Sequence, residues 1–158
     1  MRRNSGLSFP ARFIIAALFL IFTASSGFSQ AAAPAKGDWA IRIVKKDISV
    51  IAKFYPYTVN GKKMEIFAVK ASDGTIRTAL NTCQVCYGSG RGYYKQINSI
   101  LECQNCGNRF KLDQIEKIKG GCNPIPILPE SKTDLGDSIG ISDAYLKSVA
   151  KYFAFWKK

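Results

Sequence analysis

The sequence predicts a mainly β fold with some α. Its parts are a small antiparallel β meander, zinc-ribbon-like cysteine knuckles and a C-terminal helix, in a single domain over residues 38–158. Three observations carry this prediction. The first half of that stretch holds short runs rich in Ile, Val, Phe and Tyr, punctuated by Asn-Gly and Asp-Gly; such runs and dipeptides are strand and hairpin signals. The middle holds two Cys-x-x-Cys pairs in a glycine-rich context. The end holds apolar residues at helical spacing behind a serine.

In chain order, residues 1–30 stand apart from the fold. "MRRNSGLSFPAR" is basic, and residues 13–24, "FIIAALFLIFTA", form an apolar run of 12. A membrane-spanning helix needs about 20 such residues, so the run matches a signal-peptide core better than a span. Residues 1–30 are therefore expected to be a signal peptide or an uncleaved N-terminal anchor. Residues 31–37, "AAAPAKG", read as a linker. Either way, the remainder is expected to be exported, either periplasmic or membrane-anchored and facing outside the cytoplasm.

Four strands are expected next. "WAIRIV" alternates Ile41 and Ile43 against Arg42, and "ISVIAKFYPYTV" and "KMEIFAVKA" flank Asn60-Gly61. Asp73-Gly74 leads into "TIRTAL". The reading is a four-stranded antiparallel meander. Pro124, Pro126 and Pro129 exclude a helix or a central strand in "NPIPILP". In "ISDAYLKSVAKYFAFWKK", Ser142 caps a helix expected over 142–156. Tyr145, Val149, Tyr152, Phe153 and Trp156 share one face of it. That face packs on the sheet or docks on a membrane or partner.

The chain has 23 Lys and Arg against 11 Asp and Glu, a formal net charge of +12. Without residues 1–30, 20 basic residues face the same 11 acids, a net +9. Such a charge suits an anionic membrane surface or an acidic partner. The export signal argues against nucleic acid. No placement of Ser, Asp or Glu points to a hydrolase, and no glycine-rich loop has a phosphate-binding pattern. The chain is expected to be a metal-binding or electron-transfer protein rather than an enzyme.

The chemistry lies in the thiols. Cys83 and Cys86 form one pair and Cys103 and Cys106 the other, with 16 residues between Cys86 and Cys103; Cys122 follows in "GGCNP". Two Cys-x-x-Cys turns at this spacing bring four soft donors to one ion, as in a Zn site. With no histidine in the chain, covalent haem attachment, mixed Cys/His zinc and a Cys–His nucleophile all fall. A thiol–disulfide dithiol remains a rival in an oxidising compartment, though Gly88, Gly90 and Gly92 are poor material for the helix that would lower a thiol pKa. Structural disulfides would leave one of five cysteines unpaired. If Cys122 joins the four, the set suits a cluster or a polynuclear thiophilic site better than a single zinc.

"FYPYTVNGKKMEIFAVKASDGTIRTALNTCQVCY", "RGYYKQINSILECQNCGNRF" and "IEKIKGGCNPIPI" resemble the FtrD-like membrane iron–sulfur protein family. The most specific parts are the doubled Cys-x-x-Cys, Gly92-Tyr93 with Gln96 behind it, and "GGCNP". The resemblance implies an iron–sulfur cluster or iron, with Zn as the alternative, in a domain of the cell envelope. It maps ligation onto Cys83, Cys86, Cys103 and Cys106, with Cys122 as the matching fifth cysteine. It further implies a partner that is an envelope iron transporter or its redox partner. Relatives often carry methionine just before the third cysteine; this chain has Leu101 in that region, so a thioether ligand is not expected there.

Overall fold

The computed structural model describes residues 39–158. The expected leader or anchor and the linker lie outside them. Among the described residues, ten strands form three antiparallel sheets, ordered β1-β10-β9, β2-β3-β4-β8 and β5-β6-β7.

The second sheet organises the molecule. It joins β2 (Lys53–Val59), β3 (Lys62–Lys70), β4 (Ile76–Cys83) and β8 (Pro124–Pro126). Asn60 and Gly61 make the β2–β3 turn with φ of 48° and 74°, the left-handed pair that a two-residue type I′ hairpin requires. At the β3–β4 turn, Gly74 has φ 78° and Asp73 accepts from the Thr75 N–H. The two proline-bearing residues of β8 place it at the sheet edge, where a missing N–H leaves no partner unsatisfied.

Both faces of this sheet are covered, and the two-residue period of its strands sorts side chains between them. Met64 and Ile66 of β3 and Leu80 of β4 enter one core; Phe67 and Val69 of β3 and Ala79 and Cys83 of β4 enter the other. The first core is aliphatic. It is completed by Ile41, Ile43, Ile139 and Ile141 from β1 (Trp39–Val44) and β10 (Ser138–Ser142), and by Leu146 and Phe153 from the C-terminal segment. The second core is completed by Tyr94, Leu101, Cys103 and Phe110. These come from the short strands β5 (Tyr94–Ile97), β6 (Ile100–Cys103) and β7 (Arg109–Lys111).

The expected four-stranded meander is a three-stranded one. β1 leaves it and pairs with β10, setting Ile41 opposite Ile141 and Ile43 opposite Ile139. Cross-strand aliphatic pairs of this kind stabilise a sheet, and they draw the first strand to the far end of the chain. Residues 45–52, part of which the sequence predicts as strand, hold a 3-10 turn at Lys45–Asp47 and no sheet pairing. The small remaining strand β9 (Thr133–Asp134) lines the other edge of β10. At Gly140 a Cβ would lie 2.5 Å from the Trp39 ring, so the indole packs where only glycine leaves room.

Ser142 caps the C-terminal helix as expected, its Oγ accepting from the Tyr145 N–H at 3.2 Å. The α-helix α1 covers only Asp143–Val149 and then tightens to a 3-10 helix over Ala150–Phe153. At three residues per turn, side chains three apart eclipse. Phe153 and Trp156 then meet edge-to-face at 5.6 Å, and the Trp156 indole N–H donates to the Asn81 carbonyl. The aromatic face read from the sequence thus lies against the aliphatic core, with Tyr145, Val149, Tyr152 and Trp156 partly buried on it. Among the described residues no helix is long and apolar enough to cross a membrane.

Candidate metal centre

Strand parity delivers the first cysteine. Cys83 ends β4 on the same face as Ala79, fully buried. The chain then turns back on itself, with the Cys86 N–H donating to Cys83 Sγ at 3.4 Å and a 3-10 turn following over Cys86–Ser89. Gly92 closes this knuckle. The Cys83 N–H donates to its carbonyl, and a Cβ on Gly92 would stand 2.3 Å from the Cys86 carbonyl oxygen. The glycine is there for close backbone approach.

The second knuckle is the turn between β6 and β7. Cys103 ends β6, its N–H donates to the Asn108 carbonyl, and the Gly107 N–H returns to the Cys103 carbonyl. Gly107 has φ 71°, a left-handed value that suits glycine. Phe110 is buried behind the turn, edge-to-face with Tyr94 at 6.2 Å.

The "GGCNP" loop brings Cys122. Gly120 and Gly121 have φ of 83° and 79°. Gln84, inside the first knuckle, clamps the loop at two points: its N–H donates to the Asn123 carbonyl and its Oε1 accepts from the Gly120 N–H. The approach to the loop is anchored on β4 by Glu116, whose carboxylate accepts from both Thr78 N–H and hydroxyl and pairs with Lys132.

All five thiols are free, and they converge. Cys83, Cys86 and Cys122 form one group with all sulfurs within 4.8 Å of one another; Cys86, Cys103 and Cys106 form a second. Cys86 belongs to both, and its sulfur is 3.8 Å from that of Cys122. The grouping differs from one tetrad of Cys83, Cys86, Cys103 and Cys106. Among the described residues no set of four closes to that spacing, because the knuckles sit side by side with Cys86 between them. The donors are all sulfur, a set that suits soft metals, and either group could hold an ion. The centre opens to solvent on one side, where Cys106 is exposed and Cys122 half-buried.

Protonation is uneven across the five. Burial pushes the Cys86 and Cys103 thiols up to about 12 and the Cys122 thiol up to about 11. Burial also opposes ionisation of Cys83, but hydrogen bonds from Tyr94 and from the Cys86 and Val85 amides outweigh it and hold that thiol below its ordinary value. Cys106 is likewise held low against burial by the Asn108 amide and by the thiols of Cys122, Cys103 and Cys86. Each group therefore has one acidic thiol.

Sequence reasoning missed Tyr94 and Asn81. Tyr94 is 1% exposed. Its hydroxyl lies against Cys83 and donates to the Cys122 carbonyl at 2.8 Å. Burial and the neighbouring thiols push its own pKa far up, so it stays a donor. Asn81 accepts from the Tyr94 N–H at 2.8 Å and donates to Glu65, holding β5 against β4. The signal for Tyr94 was the alternation in "YKQI", which puts Tyr94 and Gln96 on one face. Gln96, part of the motif read from the sequence, ties the 45–52 segment to this hairpin, accepting from the Ala52 N–H and donating to the Val50 and Asn98 carbonyls.

The family described as "Membrane iron-sulfur containing protein FtrD-like" matches residues 49–153. That is more than half of the chain, and the chain belongs to this family. No curated protein and no solved structure matches it.

Proposed function

We propose that this chain is an exported metal-binding protein whose thiolate centre, iron–sulfur or another thiophilic metal, handles electrons or metal beside an envelope iron transporter. One observation carries the reading: five free thiols from two knuckles and a separate loop converge into two overlapping groups with an open side. Ionised sulfurs buried side by side are costly unless a cation neutralises them. The open side at Cys106 leaves a short path for an electron or an ion between the centre and a docked partner. The family description supports iron–sulfur as the first candidate. When bound, such a centre supplies one-electron chemistry at a potential tuned by hydrogen bonds to sulfur and by solvent exposure. The chain's own part is to hold the sulfurs, donate to them from backbone amides and Tyr94, and keep water from the Cys83 side.

Location and partner rest on the basic leader with its 12-residue apolar run and on the high positive charge, which suits an anionic membrane surface or an acidic partner face. A second reading, a zinc-ribbon-like structural module without redox activity, is favoured by the second knuckle, where the Asn105 and Cys106 amides donate to the Cys103 sulfur and the Asn108 amide to the Cys106 sulfur. Elemental analysis and visible spectroscopy on anaerobically purified full-length protein separate the two. Iron with visible charge-transfer absorption is expected. A colourless protein holding zinc alone would overturn the redox role.

A further inference from the structure

We propose that the centre is dinuclear, with Cys86 as a thiolate shared between two soft divalent ions. Cys83, Cys86 and Cys122 hold one ion; Cys86, Cys103 and Cys106 hold the other. The inference rests on the metal-binding reading above, takes its branch of a thiophilic metal other than an iron–sulfur cluster, and specifies its nuclearity.

Geometry is the first argument. With metal–sulfur bonds of about 2.3 Å, two ligands of one tetrahedral ion stand about 3.8 Å apart, which is the Cys86–Cys122 separation of 3.8 Å. Each group gathers three sulfurs within 4.8 Å of one another, and no four of the five sulfurs do so. A single closed tetrathiolate ion would need four. A four-iron cluster takes one thiolate per iron, which spreads its ligands across the width of a cube rather than gathering them in threes. A thiolate sulfur has three lone pairs, so Cys86 can bind two ions. It lies between the groups and is only 8% exposed.

Charge is the second argument. One divalent ion on three thiolates leaves one negative charge, and two divalent ions on five thiolates also leave one, so the shared sulfur lets the second ion bind at a site where Cys83, Cys86 and Cys103 are all buried without adding uncompensated buried charge. Each ion keeps a coordination position open toward the exposed side, where Cys106 and Cys122 lie.

The test is an anaerobic titration of reduced, metal-free full-length protein with an NMR-active cadmium isotope. Stoichiometry is read by native mass spectrometry and the ions by cadmium NMR. Two equivalents should bind, giving two resonances split by each other through the shared sulfur. Cys122→Ser removes one ligand of the first ion only. It should bind a single equivalent and show one unsplit resonance. Cys86→Ser should abolish the splitting; if that variant does not fold, Cys122→Ser still decides. Saturation at one equivalent, or two resonances without splitting, overturns the shared thiolate and leaves the metal-binding reading in place. So does inorganic sulfide in the purified protein in an amount equal to its iron. If no cadmium binds and no metal accompanies the purified protein, the metal-binding reading itself fails.

Discussion

The two faces of the β2-β3-β4-β8 sheet are built on different physical terms. On one face Ile41, Ile43, Ile66, Leu80, Ile127, Ile141 and Leu146 are almost fully buried, and strands of five to nine residues with a capped helix close over them. On the other face the cover is a hairpin sheet of strands of three and four residues. Its core includes three cysteines and a tyrosine whose hydroxyl is needed as a donor. The first face gains most from burial, at roughly 25 cal/mol per Å² of apolar surface. Very short strands pair weakly by themselves, so on the metal-binding reading proposed above the second face relies on an ion held by its sulfurs. The same sheet thus carries a self-sufficient scaffold and a conditional site.

If a metal is bound, removing it should sharpen this contrast most. Structural zinc contributes roughly 10–16 kcal/mol to the folding of small peptides. Chelation should therefore strip hydrogen-exchange protection from β5, β6 and β7 while β1, β3 and β10 keep theirs. Equal loss on both faces would mean that the site supports the whole fold.

Leu146→Ala probes the opposite face. Truncating a fully buried leucine costs about 2–5 kcal/mol, and Leu146 is 0% exposed. The urea midpoint should fall accordingly while metal stoichiometry stays unchanged.

Gly92→Ala acts on the conditional face. Its Cβ would meet the Cys86 carbonyl at 2.3 Å, and overpacking of this kind costs about 1–3 kcal/mol. Because the clash falls within the first knuckle, the loss should appear in metal affinity as well as in thermal stability. A variant with unchanged metal affinity would show that the knuckle adjusts freely.

The smallest effect is expected from Tyr94→Phe. Losing the hydroxyl removes a donor to the Cys122 carbonyl and to Cys83, worth about 0.5–1.5 kcal/mol. Since that donor holds the Cys83 thiol below its ordinary value, its removal should move the Cys83 titration upward, as followed by thiolate absorbance in metal-free protein. The proton-competition sign is the same in both proteins. Cys86, Cys103 and Cys122 carry protons until about 11 or 12, so metal binding at neutral pH must release them and affinity should weaken as pH falls. An unmoved Cys83 titration in the variant would show that the amides alone hold that thiol.

Much of this was written in short-range signals. Asn60-Gly61, the Ser142 cap and the exclusion of Pro124 and Pro126 from a central strand all appear as read, because each depends on the dihedral or hydrogen-bonding limits of a few adjacent residues. The two knuckles are legible for the same reason: Cys-x-x-Cys with a glycine is a local turn. Tertiary structure alone decided the rest. β1 pairs with β10 across nearly the whole described chain, where Ile41 and Ile43 find matching aliphatic partners. The aromatic tail tightens after Val149 because Trp156 finds an acceptor on β4. Cys86 stands between two sulfur groups, and Tyr94 reaches their edge, because two knuckles and a loop distant in sequence pack on one sheet face. Spacing along a chain limits which sulfurs share a turn; which turns share a point depends on how the sheet buries both its sides.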